Sequence, residues 1–201
     1  ADYNIGIGYS SLTDLTNGES NVAIGGHALE NNTSGGANVA IGSWDSSTYQ
    51  APLTTNTVGS FNIAIGSGAL RLANENDNDG SIGIGYGALN NQAGTGGARF
   101  ATATIGIGYQ SQLSLTTGAK NLAIGHQSGY YNQTGSDNTY LGHWAGSGTS
   151  GSHSNNVGIG SSALGVVSTG SSNTAVGKSA MVALTTGDNN TVIGAYAGDA
   201  M

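Results

Sequence analysis

The 201-residue chain has no cysteine and a single proline. Without cysteine, disulfide scaffolds and thiolate metal centres are excluded. Charge is scarce as well. Only 7% of residues are charged, and four Lys and Arg stand against eleven Asp and Glu, for a net charge of −7. Four cations cannot neutralise a phosphate backbone, so nucleic acid is a poor partner. No basic cluster suits an anionic membrane surface, and no apolar run approaches the ~20 residues that span a bilayer as a helix. The chain begins at Ala1 with no visible signal peptide, as expected of a processed protein or a piece of a longer one.

What the chain has is glycine, 36 residues of it, and about half of all residues are Gly, Asn, Ser or Thr. Disordered chains of polar composition usually combine high charge with few β-branched residues. Here Ile and Val return on a schedule, which points to a regular, uncharged, β-rich structure.

That schedule is an internal repeat. A phrase of the form N-V-A-I-G starts at Asn4, Asn21, Asn38, Asn62, Ser81, Thr104, Asn121, Asn138, Asn156, Asn173 and Asn190. The base interval is 17 residues; it widens to 24, 19 and 23 after the third, fourth and fifth copies and to 18 after the eighth. With the first residue of the phrase numbered zero, position 3 is Ile, Leu or Val and position 4 is Gly in all eleven copies. Aliphatic residues at positions 1 and 3 carry the period-2 signature of a strand. The glycine then marks a corner. Position 7 is mostly Ala or Ser, position 8 often Leu or Met, and a second glycine recurs at position 14. Each unit therefore reads as strand, turn, short strand, turn. One unit cannot bury its apolar edge, and stacking neighbours gives a continuous core. The expected fold is all-β, a parallel β-solenoid or β-roll of about eleven 17-residue coils. It forms one domain over 1–201, with loop insertions at 44–61, 71–80 and 92–103.

The alternation places positions 1 and 3, such as Val22 and Ile24, inside the coil. Position 2, as at Ala23, is then on the other face. Nine of its eleven residues are Gly or Ala, where a solvated face would show Thr, Lys or Glu. Small residues there suggest close packing against another subunit. No polar cap is visible at either end, so the chain is expected to belong to a longer fibre or to stack end to end.

The phrases NVAIGGHAL, NVAIGSWDS, NIAIGSGAL, NLAIGHQSG and NTAVGKSAM resemble the head repeats of YadA-type trimeric autotransporter adhesins, and similar NTAIG-type repeats of phage tail fibres and bacterial surface fibres. The resemblance covers essentially the whole chain. It implies a left-handed parallel β-roll, usually trimeric, that carries adhesion or receptor binding. The 17-residue period differs from the autotransporter repeat, which is nearer 14, and implies wider coils.

Candidate chemistry is sparse. No G-x-S-x-G nucleophile motif occurs, and the four histidines, His27, His126, His143 and His153, form no recognisable catalytic spacing. Glycine pairs such as Gly83 and Gly85 recur within strand repeats with no helix following, so they are not phosphate loops. In ENDNDG, Glu75, Asp77 and Asp79 alternate before Gly80, like the oxygen-rich start of a calcium loop, but Tyr86 stands where the bidentate Glu belongs. These carboxylates are either a calcium site or a solvated turn. Aromatic residues gather just past the corner glycine. Tyr86, Tyr109, His126 and His143 share position 5 in consecutive copies, and Trp44 and Trp144 stand at position 6. In a stack they line one edge, either as a platform for sugar faces or as a ladder that braces the corner. The insertions hold Trp44, Tyr49, Arg71, Arg99 and Phe100, which differ from the bland repeats and are the places to seek specific recognition. Sequons begin at Asn31, Asn32, Asn132 and Asn189.

These features suggest a non-enzymatic structural fibre protein, extracellular, on a cell surface or on a virion. It needs no cofactor, calcium excepted. Its partners are expected to be itself, as a homo-oligomer such as a trimer, and a host-surface glycan or receptor. A filament that polymerises end to end is the alternative, and a glycan- or ice-binding module a further one.

Overall fold

The computed structural model describes residues 1–44, 50–72, 79–91, 102–149 and 151–200. Eleven three-residue strands run β1 (Ile5–Ile7), β2 (Val22–Ile24), β3 (Val39–Ile41), β4 (Ile63–Ile65), β5 (Ile82–Ile84), β6 (Ile105–Ile107), β7 (Leu122–Ile124), β8 (Thr139–Leu141), β9 (Val157–Ile159), β10 (Thr174–Val176) and β11 (Thr191–Ile193). They form one parallel sheet in sequence order. Every pair is in register, as in Val22 with Val39, Ala23 with Ala40 and Ile24 with Ile41. The chain is therefore a β-solenoid with one strand per coil, as the repeat implies.

Two expectations about the coil are corrected. The first concerns its inside. In β2 to β10 the middle residue is buried and its flanking aliphatics are not. Ala23, Ala40 and Ala64 are fully buried, whereas Ile124 and Ile159 are more than a third exposed. The reason is width. An added Cβ on Gly83 would lie 3.1 Å from Leu70 Cγ, and one on Gly106 would lie 2.9 Å from Leu89 Cγ. Between the strand and the layer of position-8 leucines there is room for a hydrogen or a methyl group, so the large aliphatics must point outward.

The second concerns the expected short strand at positions 7 and 8, which is a turn. Leu29, Leu70, Leu89, Leu164 and Met181 have φ between 48 and 54°, which breaks an extended run. Their side chains nonetheless form the core and are fully buried. Backbone bonds still link the coils here, as in Leu12 N to Ala28 O at 3.2 Å and Leu164 N to Ala180 O at 3.1 Å. Leu53 occupies the same row, bonded to Ala69 O, so residues 50–61 follow the coil path beyond the first insertion.

Tyr140 is the one large residue at an inner strand position, and the coil makes room for it. Gly129 and Gly146 stand where other coils have Leu, and a Cβ on Gly146 would lie 2.3 Å from the tyrosine ring. Volume is exchanged across the core, which interiors packed at crystal-like density require.

In most coils the phrase's asparagine ties the strand to the far corner of its own coil. Asn38 donates through its backbone N–H and its Nδ2 to Asn21 Oδ1, at 3.0 and 3.1 Å. The same Nδ2 donates to Gly59 O at 2.8 Å, which ties the strand to the far corner of its own coil. Asn138, Asn173 and Asn190 repeat the pattern toward Asn121, Asn156 and Asn173. Most of this ladder is fully buried. A second, shorter ladder runs one residue past position 14. There Ser136 Oγ accepts from Ala119 N, Ser154 Oγ from Ser136 N, and Asp188 Oδ1 from Ser171 N.

Candidate functional site

The outward strand residues make two aliphatic columns along the sheet. One runs Ile5, Val22, Val39, Ile63, Ile82, Ile105, Leu122, Thr139, Val157, Thr174 and Thr191; the other runs Ile7, Ile24, Ile41, Ile65, Ile84, Ile107, Ile124, Leu141, Ile159, Val176 and Ile193. No strand residue carries a charge. Contiguous apolar surface is the kind that association between proteins commonly covers.

Beside this face runs the aromatic edge. Tyr86 stacks on Tyr109 at a centroid distance of 5.5 Å, Tyr109 on His126 at 5.1 Å and His126 on His143 at 5.2 Å. His143 also stacks on Trp144 at 5.2 Å. Interplanar angles are 26° or less along this run, so each ring covers the face of the next. A second group, Tyr9, His27 and Trp44, meets edge to face at 5.3 and 5.1 Å. Tyr109, His126, His143 and Trp144 are exposed, and Tyr86 is half-buried. The structure thus brings the predicted aromatics together as a ladder, because a register of one coil per repeat places equal positions above one another. Within the run their faces are turned toward each other, and Trp144, at its end, has one face covered by His143.

Of the other predicted residues, Arg71 and Asp79 are described. Arg71 is half-buried, its Nη1 3.5 Å from Gln50 Oε1. Of the calcium candidates, Asp79 is described, and its Oδ1 accepts from Ser60 N at 2.6 Å. Glu75, Asp77, Tyr49, Arg99 and Phe100 lie outside the described residues. Among the described residues no three His, Cys, Asp or Glu side chains gather as a metal site. Of the sequons, Asn32 and Asn132 are buried with their amides bonded to Gly35 O and Gly135 O, so the folded coil leaves no room for a glycan there.

His153 was not foreseen as special. It is fully buried with Tyr140, whose hydroxyl lies 2.8 Å from its Nδ1 and donates to Asn138 Oδ1 at 3.1 Å. With that hydroxyl proton committed, Nδ1–H donates to the tyrosine oxygen, and Nε2 is left without a partner. In the asparagine ladder the Tyr140 hydroxyl takes the place that an Asn156 Nδ2 bond to Asn138 Oδ1 would occupy. Burial holds the His153 pKa down to about 4 and pushes the Tyr140 phenol above its ordinary value. Below pH 6.5 the unfolded histidine takes a proton that the folded one refuses, so stability falls as pH drops from about 6.5 to about 4. The loss reaches about 3 kcal/mol at the acid end. Urea unfolding at pH 7, 5.5 and 4 should show it, and His153→Gln should flatten the slope over that window.

Comparison of the chain with protein-family models, curated proteins and solved structures returned no match. No described helix is long and apolar enough to cross a membrane.

Proposed function

We propose that this protein is a non-enzymatic structural fibre unit, extracellular or virion-borne, that associates with copies of itself through its aliphatic sheet face. The uncharged columns of half-exposed Ile and Val carry this reading. Each such side chain has roughly 1 kcal/mol to gain from full burial, and the gain repeats along every coil. The coil cannot bury them itself, because its interior holds Gly or Ala at nine of the eleven middle strand positions, the exceptions being Tyr140 and Val192. A second or third copy offers the same flat, unbroken face. The resemblance to trimeric autotransporter heads favours three copies around one axis. Such a bundle is a rigid rod, and its remaining flanks present a surface for adhesion or receptor binding.

Sedimentation equilibrium tests this. The expected mass is a small multiple of 19.8 kDa. Ile124→Glu combined with Ile159→Glu should give monomers with an unchanged far-ultraviolet spectrum, because both side chains point out of the coil. A wild-type chain that stays monomeric at high micromolar concentration would sink the proposal.

A further inference from the structure

The 17-residue period makes most of the surface monotonous, but at one corner the side chains step abruptly in size. At position 9 the seventh to tenth coils carry Tyr130, Ser147, Gly165 and Val182; at position 6 they carry Gln127, Trp144, Ser162 and Ser179. Large residues stand at one end and two small ones follow. The result is a notch about two coils wide, on the order of 10 Å at the usual strand spacing. It forms a half-open cleft of about 450 Å³, a volume within the range of small-ligand sites.

Its walls have a specific chemistry. Trp144 and Tyr131 are 47% and 44% exposed, and both line the cleft. Tyr131 packs edge to face on Tyr130 at 4.5 Å, which orients its ring. The Trp144 indole N–H donates to Gln127 Oε1 at 2.7 Å, and Gln127 Nε2 donates to Gln110 Oε1 at 2.9 Å. The indole is therefore held by a chain of amides, ready to meet a ligand without first being ordered. Ser147, Ser162 and Gln127 add polar groups around the rings. No lining residue is charged, so nothing there would pair with a phosphate, carboxylate or ammonium group.

Apolar ring faces, neutral hydrogen-bonding groups at their margin and a volume for one or two rings suit a ligand with the same two-sided character. A pyranose has it, with C–H groups on one face and hydroxyls at its edge. We propose that the notch between Tyr131, Trp144 and Val182 is a binding subsite for a neutral saccharide. No lining residue belongs to a strand, so self-association through the sheet does not require these residues. A bundle would carry the site once per copy.

Saturation-transfer NMR on the intact protein tests this with methyl α-glucoside, lactose and N,N′-diacetylchitobiose as probes. At least one should receive saturation on its ring C–H protons, with a dissociation constant on the order of 1 mM, as for a ligand of about a dozen heavy atoms. Trp144→Ala removes a wall. Gly165→Leu fills the floor, where a new Cβ would already lie 3.2 Å from Val182 Cγ2. Each should cut the transfer at least fivefold while the circular dichroism spectrum is kept. No transfer to any of the three sugars overturns the proposal. So does transfer that persists undiminished in both variants, or a response to indole alone. The oligomer mass is read separately, so failure here leaves the fibre reading standing, and the reverse holds.

Discussion

Gly125→Ala is expected to destabilise the fold by on the order of 4 kcal/mol, the sum of backbone strain and backbone overlap. The corner glycine has φ of 137°, and a Cβ there would lie 2.4 Å from Gly142 O in the next coil. The atoms it strikes are backbone, already held by bonds such as Gly142 N to Ile124 O at 2.8 Å, so they cannot turn aside. Relief would require two coils to move apart, which breaks the strand register on both sides. The adjoining pair Gly25 and Gly26 supplies the control. A Cβ on Gly25 would lie 2.0 Å from Gly42 O, whereas one on Gly26 would meet only Tyr9 O at 3.8 Å. Gly26→Ala should be neutral or stabilising by about 0.5 kcal/mol through reduced freedom of the unfolded chain. Because coils in a solenoid can open locally, hydrogen exchange of the amides in neighbouring coils is the measurement to pair with thermal melting. Equal protection in Gly125→Ala and Gly26→Ala would refute the corner argument.

Asn38→Asp is the second large effect. The two side chains have the same shape, so the change isolates hydrogen-bond polarity. Asn38 Nδ2 donates to Asn21 Oδ1 at 3.1 Å and to Gly59 O at 2.8 Å, and the residue is fully buried. Aspartate puts a charged acceptor against those two acceptors, out of reach of water. Breaking a buried polar arrangement in this way costs on the order of 4 kcal/mol. Burial and the facing oxygens would raise the carboxyl pKa in the folded state. The penalty is therefore full at neutral pH and eases as pH falls and the carboxyl becomes a neutral donor. This slope is opposite in sign to that expected from His153, which separates the two. Urea midpoints of Asn38→Asp in a His153→Gln background should rise on acidification; a flat profile would mean that the ladder is not what closes the coil. The natural variation agrees with the argument, since the two coils without asparagine carry Ser81 and Thr104, both neutral.

Much of this could be read from the residues in order. The 17-residue interval and the N-V-A-I-G phrase were enough for the solenoid, for one strand per phrase and for the glycine corner. The stacking of Tyr86, Tyr109, His126 and His143 was also legible, because equal positions in successive coils must lie one above another. The sense of the strand was not. A period-2 pattern says that two faces differ, and Val22 and Ile24 looked like the core by size alone. The width of the coil reverses this, and width depends on what faces the strand across the interior. Asn21 and Asn38 marked the register in sequence, but their chemistry needs the neighbouring coil, since each amide works on the coil before it and on its own far corner. Tyr140 with Gly129 and Gly146, and the notch beside Trp144, belong to the same class. Each arises from side chains in different coils that trade volume through space.

The sequence alone thus determined the architecture, since a repeat that cannot bury its own edge must stack on its copies. Only the tertiary structure decided which surface is left apolar. Beneath most strands the position-8 leucines leave room for a hydrogen or a methyl group, and the flanking branched side chains are therefore turned outward.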